Sequence, residues 1–202
     1  MLKLGPELFE LLNAKQRVGN LTPVIYGAPG LSSAEIASIE AQLGFRLPAD
    51  FAYLFQNIRD PGGVFFPWSH FKKQKYDDSI RWVQQGIEFD VDRNKFWMDR
   101  WGKRPPTLAA ALDIARKDFE TWPKLLPIHA HRFLAAEPCQ PGNPVFSIMQ
   151  TDIIYYGADL VHYLLNEFVD HDHVRHTRAH ELKRIRVWSY LAEDWNAELD
   201  DR

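Results

Sequence analysis

A single cysteine, Cys139, rules out a disulfide within this chain, and that scarcity suits a reducing compartment. Long apolar runs are also missing: nothing approaches the roughly 20 residues that cross a bilayer as a helix, so no membrane partner is expected. Residues Met1 to Leu12 are interrupted by Lys3, Glu7 and Glu10, so no secretory signal is expected there. The expected location is the cytoplasm. Charge of one sign is absent as well, with 24 basic and 27 acidic residues mixed along the chain for a formal net charge of −3. No basic stripe can track a phosphate backbone, so nucleic acid is not an expected partner. Neither a Ser/Gly tract, a low-complexity block nor an internal repeat divides the 202 residues, and one domain over 1–202 is the expectation. Gly27-Ala28-Pro29-Gly30 lacks the Lys-Ser/Thr of a phosphate cradle and reads as a turn.

What the chain has is apolar and aromatic mass, 46% and 13% of its residues, enough for a sizeable core. Leu4, Leu8, Leu11 and Leu12 recur at helical spacing within an N-terminal helix over 1–19. Ser32 and Glu35 have capping-box spacing, Ile36, Ile39 and Leu43 share a face, and Gly44 is a left-handed stop. Pro48 suits a first helical position ahead of Phe51, Leu54, Phe55 and Ile58. Val64 to Trp68 reads as a strand, Asp78 to Gln85 as a helix stopped by Gly86, and Ile87 to Asp92 alternates like a half-buried strand. Thr107 to Phe119 is helical with Leu108, Ala111, Leu112 and Ala115 inward. Strands follow at Leu125–Ile128, Arg132–Ala135 and Val145–Gln150, then a helix capped by Asp159, a strand at Ile185–Trp188 and an acidic tail helix. This order predicts an α+β fold, one mostly antiparallel sheet packed against several helices.

Four stretches, in order, carry a family resemblance. They are Leu31-Ser32-Ser33-Ala34-Glu35-Ile36 through Leu43-Gly44-Phe45-Arg46-Leu47-Pro48-Ala49-Asp50-Phe51; Gly86-Ile87-Glu88-Phe89 through Phe96-Trp97 and Trp101-Gly102; Trp122-Pro123-Lys124-Leu125-Leu126-Pro127-Ile128 into His131-Arg132-Phe133; and Gly142-Asn143-Pro144-Val145-Phe146-Ser147 through Gln150-Thr151-Asp152-Ile153-Ile154-Tyr155-Tyr156-Gly157. Together they resemble the SUKH superfamily, in its bacterial Smi-Knr branch of yeast cell-wall-assembly-regulator-like proteins. The resemblance covers 31–168 and leaves 169–202 as a C-terminal extension. It implies a helix-covered sheet and a non-enzymatic protein-binding role, most concretely an immunity protein that neutralises a bacterial toxin encoded nearby. An endogenous regulatory scaffold is the alternative from the same resemblance. The family brings neither a catalytic motif nor a cofactor.

The residues themselves offer three candidate sites. Phe65, Phe66, Trp68 and Phe71 form the densest aromatic patch, beside Lys72, Lys73 and Lys75, and would anchor a partner if exposed. Tyr155 and Tyr156 stand at a strand-to-helix junction, where ligand crevices often form. His173, His176 and His180 would share one helical face, alongside His171 and Asp172, and could hold a metal for a hydrolase; a solvated linker is the plainer reading. His129 and His131 would share a strand face, while Ser147 lacks a nucleophile elbow and Cys139 lacks a helix start to lower its pKa.

Overall fold

The local signals for the first helices become structure directly. In the computed structural model, which describes residues 3–15, 24–169 and 182–195, α1 is Pro6–Lys15 and α2 is Ser33–Leu43. Ser32 Oγ accepts from the Glu35 N–H while the Glu35 carboxylate accepts from the Ser32 N–H, and Gly44 ends α2 at φ +79°. Pro48 sits just ahead of α3 (Ala49–Gln56), one residue earlier than expected. The Asn57 side chain donates to the Tyr53 carbonyl and closes α3, so Ile58 belongs instead to a short strand. That strand, β2 (Ile58–Arg59), pairs antiparallel with β1 (Ile25–Tyr26) in a two-stranded ribbon.

The central element is a four-stranded antiparallel meander of β3 (Leu125–His129), β4 (Arg132–Ala135), β5 (Val145–Met149) and β6 (Asp152–Gly157), in that spatial order. Leu126, Ile128, Leu134 and Val145 feed one core; Leu125, Phe133, Ala135, Phe146, Ile148 and Ile153 feed a second. Apolar residues on both faces demand cover on both, which explains why these strands read as nearly continuous apolar runs. Helices α1 to α3 and α6 (Leu160–Phe168) contribute to the first core. The second draws on α4 (Lys73–Arg93), α5 (Leu108–Phe119), Trp122 and the 185–191 segment. The fold is α+β, as the element order implies, with strands divided between the four-stranded sheet and the small ribbon.

Asp159 caps α6 through the His162 N–H. Helix α6 folds back on β6 so closely that a Cβ on Gly157 would lie 2.6 Å from the Tyr163 backbone nitrogen. No other residue fits there without displacing backbone.

Three predicted strands are not strands. Ile87 to Asp92 lies within α4, which is continuous through Gly86 for 21 residues. The period-two reading competed with a helical one, in which Val83, Ile87 and Val91 form the buried row. Gly86 costs the helix about 1 kcal/mol in propensity, but its missing Cβ leaves room for Gln150 in the β5–β6 turn. Asp90, 2% exposed, then accepts from the Thr151 N–H and hydroxyl at 2.8 and 2.6 Å, tying the helix to that turn. Val64 to Trp68 is irregular chain running into a 3-10 turn at Trp68–His70. Ile185 to Trp188 curls into α7 (Trp188–Tyr190), with the Ile185 N–H donating to Ser189 Oγ and the Ser189 N–H to the Ile185 carbonyl. Leu108 is also exposed, because it opens α5 and only Ala111 and Ala115 are fully inward.

Candidate functional site

The aromatic segment predicted to anchor a partner lies along the outer edge of β3. Asp60 accepts the Val64 and Phe65 N–H groups at 3.0 and 2.7 Å and so shapes the Gly62-Gly63 turn. The Phe66 N–H donates to the Ile128 carbonyl, Trp68 Nε1 to the Pro127 carbonyl and Tyr76 Oη to the Leu125 carbonyl. These donors occupy carbonyls on a strand edge that would otherwise invite pairing, and Pro127 lacks an N–H in any case. Trp68 is 1% exposed, stacks on Phe71 at 5.5 Å and meets Phe51 edge-on at 5.2 Å.

Burial divides the six predicted contact residues. Phe65 and Trp68 are core, while Phe66, Phe71, Tyr155 and Tyr156 are half-buried. Phe66 lines two adjoining concavities. One, of about 680 Å³, runs past Ile25, Leu31, Phe55, Ile58 and Pro67, with Glu35, Asp60 and His70 at its polar positions. The other, of about 360 Å³, is bounded by Val64, Ser79, Pro127 and His129. A half-buried aromatic side chain between two clefts of mixed polar and apolar lining, backed by a fixed core, has the anatomy of a recognition surface.

Tyr155 and Tyr156 do not join that surface as a pair, because successive strand residues point to opposite faces. Tyr155 packs on Phe146 and donates to Glu193 Oε1 at 2.6 Å; burial, reinforced by that carboxylate, raises its phenol pKa. Tyr156 faces the other way and carries the Arg132 guanidinium 3.6 Å from its ring centroid. Arg132 also reaches Ser147 Oγ at 2.8 Å and Glu167 Oε2 at 3.3 Å. This clamp joins β4, β5, β6 and α6. Neither Arg132 nor Glu167 stood out in the sequence, since 35 positions separate them and no local pattern links the two.

His129 ends β3, with Nδ1 buried, without a hydrogen-bond partner among the described residues and 3.9 Å from Glu167 Oε1. Burial and the Arg132 charge lower the pKa of neighbouring His131. Ser147 is engaged by Arg132, and exposed Cys139 lies 3.6 Å from the Arg46 carbonyl. His171, Asp172, His173, His176 and His180 lie outside the described residues. Among the described residues, no group of three or more His, Cys, Asp or Glu side chains is placed to hold a metal ion, and no helix is long and apolar enough to cross a membrane.

Compared with known proteins, the chain matches no family model, and no curated protein or solved structure is significantly similar to it.

Proposed function

We propose that this chain is a cytoplasmic protein-binding domain whose partner is a bacterial toxin, neutralised when the domain covers its active or substrate-binding surface. The observation that carries the reading is the Phe66 side chain between two clefts, mounted on the hydrogen-bonded edge of β3. A side chain held in this way loses little conformational freedom on binding, which raises affinity for a given contact area. The ordered resemblance of 31–168 to SUKH-type immunity proteins supplies the kind of partner.

Co-expression tests the proposal. Cells producing a toxin domain encoded beside this chain should survive only with the intact protein, and Phe66→Asp should abolish protection while leaving the fold intact by circular dichroism. Recovery of an endogenous host complex without protection against any neighbouring toxin would replace this reading with that of a regulatory scaffold.

A further inference from the structure

Helix α4 has a second face. Tyr76, Val83, Ile87, Asp90 and Val91 are buried, and a row on the far side consists of Lys75, Asp78, Trp82, Gln85, Phe89 and Arg93, all exposed. These positions are three or four residues apart, the spacing of a helix–helix seam. At its middle stand two of the most exposed large apolar side chains, Trp82 at 42% and Phe89 at 48%.

We propose that this face of α4 pairs with the same face of a second copy of the chain, antiparallel about a two-fold axis passing between Gln85 and Gly86. The row is complementary to itself in that register alone. Trp82 then meets Phe89 of the partner subunit, and Asp78 meets Arg93 of the partner subunit, with both contacts repeated by symmetry. A parallel arrangement would set Trp82 on Trp82 and Asp78 on Asp78, leaving like charges opposed. Within one chain, Asp78 is bonded to Arg81 at 2.9 Å and Arg93 to Asp92 at 2.8 Å. These exposed local pairs can be exchanged at little cost. The two-fold arrangement uses one patch on both copies and therefore closes at two chains.

Helix α4 has 21 residues, about 31 Å at 1.5 Å per residue. A single helix pair of that length buries less than the roughly 1,200 Å² of a standard stable interface. The dimer is accordingly weak and concentration-dependent. This inference is independent of toxin binding, which uses the β3 edge, and either can fail alone.

Sedimentation equilibrium on the full chain from about 1 to 200 μM, a range suited to a micromolar dissociation constant, reads it directly. The mass should rise from 23.5 kDa toward twice that value. Trp82→Glu should hold the chain at the monomer mass, and Asp78→Arg should weaken the dimer roughly tenfold or more by opposing like charges. The double exchange Asp78→Arg/Arg93→Asp should recover wild-type association. Because all three positions are exposed, circular dichroism should find every variant folded. A wild-type chain that stays monomeric throughout, a dimer indifferent to Trp82→Glu, or a double exchange as weak as the single one would overturn the proposal.

Discussion

The two faces of the four-stranded sheet both pair their buried tryptophans, Trp68 on the first included, but they differ in the polar atoms left over. In the second core, Trp101 Nε1 and Trp122 Nε1 both donate to Asp118 Oδ2 at 2.8 Å, and Trp188 Nε1 donates to the Pro123 carbonyl at 2.8 Å. Asp90 is held by Thr151 and Asn94. Round α6 on the first face, Tyr26 Oη, Tyr163 Oη, Asn166 Oδ1 and His129 Nδ1 are buried without a hydrogen-bond partner among the described residues. Each such group costs about 1–3 kcal/mol. The face with these uncompensated groups also borders the two clefts. One face is thus built for stability, and the other gives up stability beside the surface proposed to bind, a pattern common at functional sites.

Trp122→Ala should produce the largest effect. Trp122 is 2% exposed and meets Trp188 edge-on at 5.0 Å, so truncation should cost about 3–5 kcal/mol. The check is a fall in urea midpoint at unchanged denaturant slope; a loss below about 1 kcal/mol would remove the second core's role as anchor.

A smaller effect is expected at low pH. Burial pulls the Asp118 carboxyl upward, but hydrogen bonds from Trp101 and Trp122 and the Arg100 charge outweigh it, and its pKa falls below the ordinary 3.8. A carboxyl depressed in the folded state adds stability that is complete above the unfolded value and is lost as pH falls through the folded one. Asp118→Asn should therefore lower the melting temperature at pH 7 and flatten its decline below about pH 4. An acid limb identical to the parent's would assign that stability to other carboxyls.

The smallest loss of stability should come from Tyr163→Phe. The phenol is fully buried, its pKa raised well above the ordinary value first by burial and then by Glu167. Deleting an unpartnered hydroxyl while keeping the ring should cost no stability, and relief of its desolvation penalty should raise stability by up to about 1–3 kcal/mol. A loss above about 1 kcal/mol would mean that the hydroxyl is satisfied in solution, and the contrast between the faces would narrow.

Much of the fold was legible wherever a signal is local. Ser32 with Glu35, Gly44 and Asp159 act within one helical turn of their own position, and the short apolar strands of the meander are bounded by their own turn residues. The errors share a cause. Ile87 to Asp92 satisfies period two and the helical period at once, and only packing of Val83, Ile87 and Val91 on the sheet decides between them. Val64 to Trp68 has strand composition, but its hydrogen bonds go to the Asp60 carboxylate and to the edge of β3, more than 60 residues away. Of the candidate contact residues, the patch from Phe65 to Phe71 was visible as an aromatic cluster; that Phe65 and Trp68 are core while Phe66 faces two clefts was not.

By itself, then, the sequence determined the helix limits set by capping residues, the α+β class and the lack of a disulfide within the chain, because these depend on neighbours a few residues apart or on composition alone. Tertiary structure decided that α4 runs unbroken through Gly86, that Arg132 clamps Glu167 to Tyr156, and that the buried polar atoms around α6 lack partners among the described residues while the buried tryptophans of both cores find theirs. Those outcomes depend on which distant backbone comes to lie against each side chain. Gly86 shows the dividing line: its sequence context reads as a stop, and only the Gln150 backbone, packed where a Cβ would stand, gives its place inside a helix a physical reason.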